Sequence, residues 1–281
     1  MKKIVLDRED LHRGSLILVN EKYGIGWDAP GELEAVDRDV PSKPQNGRLE
    51  STLSEERSAA ALKQRDGVLL ERQARAWLER LMGQIGGWDI IVPVSGWRSR
   101  SEQQSIWDES MRDNGEEYTR TYVALPGHSE HQTGLAIDLG LRQEHIDFIC
   151  PEFPDTGVCG RFKERAADYG FVLRYPAGRE NITGIGYEPW HFRYVGVPHA
   201  RIMAENDMTL EEYTVYIRQF DSPVHPCCIR LGGRAICVSY AAADMGQTAL
   251  WVNETAPYYI SGNNVDGFVL TQWQQGGYCH G

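Results

Sequence analysis

The sequence predicts a mixed α+β domain followed by a small β-rich domain. Up to about residue 220, segments rich in Ala, Leu, Glu and Arg alternate with short β-branched runs such as WDIIVPVSGW. Beyond residue 222 only short apolar runs occur, separated by Gly and Asn, and they predict strands at CIRLGGRAICVSYAA, ALWVN, YYISG and DGFVLTQW. We therefore divide the chain into residues 1–221, whose first 50 residues are an irregular lead-in, and residues 222–281.

The predicted elements of the first domain have recognisable ends. Residues 1–50 contain short apolar runs such as SLILVN between Gly, Pro and Asp, and predict one strand. A helix is expected over 55–85, because leucines recur there at helical spacing and Gly86 suits a left-handed cap. A second helix, SRSEQQSIWDESMRDNG, begins at an N-cap serine, Ser99 or Ser101. The remaining elements are a loop at LPGHSEHQTG, a strand at LAIDLGL, a helix at RFKERAADYGF, strands at VLRYP and GYEPWHFRYVG, and a helix at TLEEYTVYIRQF, where Thr209 and Glu212 suit a capping box.

The charge and hydropathy of the chain exclude some classes of partner. Its 29 Lys and Arg against 40 Asp and Glu give a net charge of −11, and no basic cluster stands out. This argues against nucleic acid or an anionic membrane as the main partner. No apolar stretch has the length of a secretory signal or a transmembrane helix, so a cytoplasmic location is expected.

The six cysteines do not form a CxxC motif, so a zinc ribbon or a thioredoxin-type site is not expected. In a cytosolic chain, reduced and partly buried thiols are the prediction. The alternative is one or two disulfides, because four of the six cysteines lie in the last 55 residues, where a small β-rich domain would benefit from a covalent link. The cysteines are Cys150, Cys159, Cys227, Cys228, Cys237 and Cys279.

The stretch GHSEHQTGLAID, at 127–138, contains two candidate metal ligands. On the strand LAIDLG side chains alternate between faces, so Asp138 points away from the face that carries Leu135 and Ile137. A carboxylate on a buried strand is costly unless a cation or hydrogen bonds compensate it. His131 lies just upstream and can fold back over the same end of the strand. A histidine in a polar loop is otherwise solvated or structural.

The segment YEPWHF supplies a third candidate ligand and a candidate base. A catalytic zinc takes three protein ligands and leaves one position for water. His191 would be the third ligand and Glu188 the general base for that water. Glu188 and His191 would lie on opposite faces of a straight strand, but Pro189 favours a bend that brings them together. The alternative is an edge proline between an exposed Glu188 and a His191 that packs on Trp190.

The segment SGWRS, at 95–99, places an arginine where a strand ends. Attack of water on a peptide carbonyl produces an anionic tetrahedral intermediate, which Arg98 would stabilise. The alternative for a single arginine is a surface ion pair. Gln103 lies one turn into the following helix and would reach the same cleft.

These motifs occur along the chain in the order SGWRS, SEHQTGLAID, EPWH. The zinc D,D-peptidases of the VanX/VanXY/VanY group have the same motifs in the same order, and the chain resembles them over roughly residues 15–220. The resemblance implies a small α+β domain, with a mainly antiparallel sheet, packed helices and a zinc ion in a cleft. It implies that the metal ligands are His131, Asp138 and His191, that Glu188 is the base, that Arg98 stabilises the transition state, and that Ser129 and Gln103 face the substrate.

The resemblance also implies an activity. We expect hydrolysis of the dipeptide D-Ala-D-Ala, removal of the C-terminal D-Ala of a peptidoglycan precursor pentapeptide, or both, linked to vancomycin resistance. The alternatives are an L,D-carboxypeptidase or endopeptidase of similar architecture, and a non-catalytic sensor of cell-wall fragments. The catalytic motifs do not explain residues 222–281. His128, next to the ligand loop, is expected to be solvent-exposed or to support a ligand from behind.

Overall fold

The structure, a computed structural model, describes residues 1–26, 31–36, 67–221 and 225–274. Within these ranges the strands are β1 (Lys2–Leu6), β2 (Leu33–Val36), β3 (Val68–Glu71), β4 (Ile91–Ser95), β5 (Ala136–Leu141), β6 (Phe171–Leu173), β7 (His191–Tyr194), β8 (Cys227–Leu231), β9 (Arg234–Ala242), β10 (Thr248–Val252), β11 (Tyr258–Gly262) and β12 (Gly267–Trp273).

The helices lie between these strands. The α-helices are α1 (Arg72–Ile85), α2 (Arg100–Asp113), α3 (Glu116–Tyr122), α4 (Gly157–Arg165), α5 (Glu180–Thr183), α6 (Val197–Glu205) and α7 (Leu210–Tyr216). Short 3-10 turns occur at Asp10–His12, Glu130–Thr133, Ala166–Tyr169 and Ile217–Phe220. No helix in the described ranges combines the length and hydrophobicity that a membrane span requires.

A four-stranded antiparallel sheet, in the order β4-β5-β7-β6, forms the centre of the first part of the chain. On one face of it, Ile137 of β5 and Phe192 of β7 pack in one buried cluster with Leu78 of α1 and Phe162 of α4. The expected alternation is confirmed, because Leu135, Ile137 and Leu139 all belong to this cluster. The predicted α+β class, with a mainly antiparallel sheet and packed helices, is confirmed.

The helix expected over 55–85 is wrong at its start. Residues 55–66 lie outside the described residues, and Leu69 and Leu70 lie in β3, which pairs with β2. The helix begins at Arg72 because the side chain of Glu71 accepts hydrogen bonds from the first free backbone N–H groups. Its end is as predicted, with Gly86 in the left-handed conformation at φ 63°.

The lead-in also differs from the prediction of one strand, because β1 and β2 both fall within residues 1–50. The run SLILVN is buried but is not a strand. Its backbone bonds to side chains and turns instead of to a neighbouring strand: Leu16 N–H donates to Ser261 Oγ, and Leu18 N–H to the Asn263 carbonyl. A buried backbone needs hydrogen-bond partners, but they need not come from a sheet.

Strands are present at each of the runs predicted after residue 222, and they tie the two ends of the chain together. Strands β11-β12-β9-β8 form a second antiparallel sheet, and β10 pairs with β1. Val238 and Val269 of this sheet share one buried cluster with Leu16 and Leu18 of the lead-in and with Tyr213 of α7. The boundary at residue 222 stays a prediction, but this shared cluster indicates that the two parts depend on each other to fold.

The prediction of reduced cysteines is wrong for one pair. Cys228 on β8 and Cys237 on β9 are directly opposite in the strand register and form a disulfide. The short Cα–Cα separation of facing residues on antiparallel strands, here 4.2 Å, permits this bond. Cys150, Cys159 and Cys227 are free thiols, as expected, and Cys279 lies outside the described residues.

We expect deletion of residues 222–281 to prevent folding of the rest. The deletion would expose Leu16, Leu18 and Tyr213 to water and leave β1 without its partner, and burial of each large apolar side chain contributes about 2 kcal/mol. Circular dichroism and thermal unfolding of the truncated chain, purified beside the full chain, provide the measurement. A truncated chain with a cooperative unfolding transition would instead establish residues 1–221 as an independent domain.

Candidate metal centre

Two histidines and an aspartate from three segments meet in the interior of the protein. One ligand atom from each of His131, Asp138 and His191 lies within 4.8 Å of the others. His131 Nε2 is 3.2 Å from Asp138 Oδ2, and His191 Nδ1 is 3.0 Å from Asp138 Oδ1. All three residues are buried. The structure thus contains a His-Asp-His group that can hold a metal ion.

The backbone explains why these three side chains converge. Asp138 of β5 is directly paired with His191 at the start of β7, so register alone brings these two together. His131 lies on the 3-10 turn that precedes β5, and Gly134 ends this turn with φ 72°. A left-handed residue here reverses the chain at little cost only if it is glycine. The predicted folding back of His131 over the end of the strand is confirmed.

A neighbouring backbone carbonyl sets the orientation of His131. Its Nδ1 donates a hydrogen bond to the carbonyl of Gly96 at 2.7 Å, which leaves Nε2 to face Asp138. Gly96 lies against β3, and a Cβ at this position would stand 2.3 Å from the Leu69 carbonyl. Gly96, directly after β4, therefore allows the chain to approach β3 closely, and this approach brings the Gly96 carbonyl to His131.

Glu188 reaches the same site through a tight turn. The His191 N–H donates to the Glu188 carbonyl at 3.3 Å, which closes a turn over Pro189 and Trp190. Glu188 Oε2 lies 3.7 Å from His191 Nδ1, and the side chain is buried. Burial raises the pKa of Glu188 to about 8. The structure therefore contains the bend that the sequence predicts at Pro189.

Arg98 approaches from the end of β4. Its Nη2 donates to Asp138 Oδ2 at 3.0 Å, and its Nε donates to Ser95 Oγ at 2.9 Å. Gln103 Oε1 lies 3.5 Å from Arg98 Nη1, and Gln103 Nε2 donates to the Ala124 carbonyl at 2.8 Å. The guanidinium is thus held beside the His-Asp-His group rather than in a surface ion pair.

Two other polar residues of the ligand loop have different surroundings. Ser129 is buried two residues before His131, and its backbone carbonyl accepts a hydrogen bond from Gln132 N–H. His128 is half-buried, with Nδ1 2.8 Å from the Asn20 carbonyl, and it is not part of the His-Asp-His group. It contacts the lead-in.

The two histidines differ in their affinity for protons. Burial, together with the charge of Arg98, lowers the pKa of His131 to about 4, so this imidazole is neutral near pH 7. Burial also disfavours the charged form of His191, but hydrogen bonds with Asp138 and Glu130 outweigh it and raise its pKa to about 9. A metal ligand must be deprotonated, so binding of a cation at His191 would release a proton.

Four buried residues around this group are absent from the sequence-based predictions. Glu130 is fully buried, and Arg174 and Arg193 donate hydrogen bonds to its carboxylate. The ring of Tyr175 packs against that of His191 in a tilted arrangement, with ring centroids 4.9 Å apart, and the Tyr175 carbonyl accepts from Glu188 N–H. Glu130 lies inside the SEHQTG motif and Arg174-Tyr175 inside RYP, so their positions next to the recognised motifs were the available signal.

Comparison with known proteins places this arrangement in a family. The sequence profile of VanY, described as D-alanyl-D-alanine carboxypeptidase, matches residues 68–197. A relative from Enterococcus gallinarum, the bifunctional D-Ala-D-Ala dipeptidase and D-Ala-D-Ala carboxypeptidase VanXYC, is 48% identical over 155 residues, covering 55% of this chain and 81% of that enzyme. The chain belongs to the VanX/VanY group. The predicted resemblance is confirmed.

Solved structures of the VanX/VanY group extend the similarity. The vancomycin resistance D,D-dipeptidase VanXYg, in complex with a D-Ala-D-Ala phosphinate analog, matches with a TM-score of 0.84 and 42% identity over 97% of this chain and 99% of that one. A mutant of the D,D-pentapeptidase VanY from a VanB-type resistance cassette, in complex with Zn(II), matches with a TM-score of 0.53 and 28% identity over 71% of this chain and 98% of that one. The match to VanXYg covers 97% of this chain and so includes the C-terminal sheet.

Proposed function

We propose that this chain is a zinc-dependent D,D-peptidase that hydrolyses D-Ala-D-Ala, removes the C-terminal D-Ala of a peptidoglycan precursor pentapeptide, or does both. One observation carries the proposal: Glu188 and Arg98 both border the buried group of His131, Asp138 and His191. Relatives in the same family that act on D-Ala-D-Ala support it, as does the complex of VanXYg with a D-Ala-D-Ala analog.

Zinc is the proposed metal because two imidazoles and one carboxylate form a donor set that zinc favours in hydrolytic enzymes. The Zn(II) complex of a VanY relative supports this choice. When bound, zinc supplies Lewis-acid chemistry, which makes a water molecule more acidic and polarises the scissile carbonyl.

We assign the proton transfers to Glu188. Its carboxylate accepts a proton from the attacking water as the new C–O bond forms, and passes a proton to the amine nitrogen of the leaving D-alanine as the C–N bond breaks. The raised pKa of Glu188 brings its proton affinity close to the working range of a general base.

Arg98 is assigned to the anionic oxygen that forms when water adds to the carbonyl. Its guanidinium is fixed by Ser95 and Asp138, so little reorganisation is needed at the moment of reaction. Gln103 lies beside Arg98, and Ser129 lies beside the ligand turn. We propose that both contribute to binding of the polar groups of the substrate.

The setting of the activity is proposed from the same relatives. The structural similarity to VanXYg, a vancomycin resistance D,D-dipeptidase, supports a role in resistance to vancomycin. We place the reaction in the cytoplasm, on precursors of the cell wall, because the chain resembles the VanXY type.

The decisive experiment measures binding of D-Ala-D-Ala, a UDP-muramyl pentapeptide and a muramyl tetrapeptide, and D-alanine release from each, with and without chelator and after restoration of zinc. Chelator-sensitive release from D-Ala-D-Ala or the pentapeptide is the expected result, and release from both would establish a dual activity. Release only from a muramyl tetrapeptide would favour an L,D-carboxypeptidase. Binding of these peptides without any release would favour the sensor.

A further inference from the structure

A buried glutamate beside the proposed ligands has no role in the reaction described above. Glu130 lies in the 3-10 turn directly before His131, and its side chain has no exposed surface. Its Oε1 accepts hydrogen bonds from Arg174 Nε at 2.7 Å and from Arg193 Nη1 at 2.8 Å. Its Oε2 faces His191 Nε2 at 3.5 Å, the long end of hydrogen bonding. One carboxylate therefore neighbours one proposed ligand in sequence and another in space.

The two arginines hold this carboxylate in place. Arg174 donates two further hydrogen bonds, at 2.9 and 2.7 Å, to the carboxylate of Glu211. Arg193 Nη2 donates to the carbonyls of Ser15 and Ile17, at 3.1 and 2.9 Å. Both arginine side chains are completely buried, and the two arginines balance the two glutamates in charge. A buried charge persists at a bearable cost only when it is paired and hydrogen-bonded in this manner.

Two carboxylates face the two ring nitrogens of His191, Glu130 at Nε2 and Asp138 at Nδ1. A neutral imidazole has one N–H and one lone pair. A carboxylate oxygen can only accept, so Oε2 of Glu130 favours the proton on Nε2 of His191. Asp138 would favour a proton on Nδ1 in the same way, but a cation held by His191 and Asp138 would replace that proton, so the lone pair on Nδ1 would be available to the cation. The Gly96 carbonyl acts on His131 in the same way, through the opposite nitrogen.

We propose that Glu130 is a positioning residue of the metal centre, which holds Nε2–H of His191 and directs the Nδ1 lone pair to the metal. Arg174 and Arg193 fix Glu130 by occupying its other oxygen. This inference rests on the metal centre proposed above. Partners of this kind behind a ligating histidine contribute about 10- to 100-fold to metal affinity.

The substitution Glu130→Gln tests the orientation directly. The two arginines are donors only, so the oxygen of the new amide must face them and its NH2 group must face His191. A donor at this place favours the proton on Nδ1 of His191, which removes the lone pair from the metal site. We expect about 10- to 100-fold weaker zinc binding by chelator competition, and a changed visible absorption spectrum of the cobalt-substituted protein.

Glu211→Gln is the matched control. It makes the same chemical change in a residue that accepts from Nη1 and Nη2 of the same Arg174, whereas Glu130 accepts from its Nε and faces His191. Both substitutions weaken the buried ion pairs, so both are expected to lower the melting temperature. Only Glu130→Gln should alter zinc affinity and the cobalt spectrum. If Glu130→Gln has the same zinc affinity and cobalt spectrum as Glu211→Gln, whether both are unchanged or both are altered equally, the positioning role is overturned.

A second variant keeps the proposal testable if Glu130→Gln does not fold. Glu130→Asp retains the charge but withdraws the carboxylate from His191 by one methylene, and it should weaken zinc binding in the same direction. Wild-type zinc affinity in this variant, with a wild-type cobalt spectrum, would overturn the proposal. Zinc binding by the unaltered chain is measured first. If the unaltered chain binds no zinc, the proposed metal centre fails as well, whereas failure of the variants alone affects only Glu130.

Discussion

Glu188→Gln is expected to lower kcat by about 1,000-fold, or about 4 kcal/mol in activation free energy, while zinc binding is retained. The amide has nearly the same shape and fits the buried turn, but it cannot accept a proton from water. Because Glu188 is not one of the three predicted ligands, the zinc content should equal that of the unaltered chain. The measurement is D-alanine release from D-Ala-D-Ala, together with metal analysis of the same sample.

Glu180→Gln provides the control for this change. Glu180 is an exposed residue at the start of α5, where its carboxylate accepts a hydrogen bond from Gly178 N–H. The same Glu-to-Gln change there should leave kcat and zinc content unaltered. Full activity of Glu188→Gln would exclude Glu188 as the base, and loss of zinc together with activity would instead make it a ligand.

His191→Ala is expected to abolish zinc binding and activity together. Removal of one of three protein ligands should weaken zinc affinity by more than the about 100-fold ascribed to residues that only support a ligand. The substitution also removes the imidazole that lies 3.0 Å from Asp138 and 3.5 Å from Glu130, so both carboxylates lose a hydrogen-bond partner. Isothermal titration with zinc and D-alanine release from D-Ala-D-Ala are the measurements.

His199→Ala separates loss of a ligand from loss of a buried histidine. His199 is as deeply buried as His191, but it bonds to Tyr213 Oη at 2.7 Å and Thr271 Oγ1 at 3.0 Å, away from the proposed ligands. This variant should melt at a lower temperature and still bind zinc. A His191→Ala protein that carries one zinc per chain at wild-type affinity would remove His191 from the ligand set.

The arrangement of the candidate site was largely predictable from local rules. Alternation along LAIDLGL separates Asp138 from the core face, and Pro189 accounts for the bend that returns Glu188 to His191. These features depend on residues close together in sequence, where backbone geometry leaves few options. The meeting of the two segments required more. It follows from the pairing of β5 with β7, which spacing alone does not specify.

The buried charges and the lead-in could not be predicted in the same way. Most Glu and Arg residues lie on the protein surface, and nothing in the sequence marks Glu130, Arg174 and Arg193 as exceptions. Their burial depends on a long-range balance of charge. The run SLILVN looks like a strand because it is apolar, but Arg193 and Ser261 supply its hydrogen bonds from distant parts of the chain. Likewise, the spacing of Leu69 and Leu70 is typical of a helix, but both residues lie in β3 because β2 pairs with this segment.

The contacts between the two ends of the chain set an order of events in folding. Asn264 holds the Leu18 carbonyl across 246 residues of sequence, and β1 pairs with β10. On a ribosome these contacts cannot form until β10 and Asn264 have emerged. The carbonyls of Ser15 and Ile17, which receive Arg193, belong to the same segment. The hydrogen bonds that hold Arg193, and through it Glu130 beside the proposed ligands, therefore form late in synthesis. A nascent chain that stops before β10 should lack an ordered metal centre.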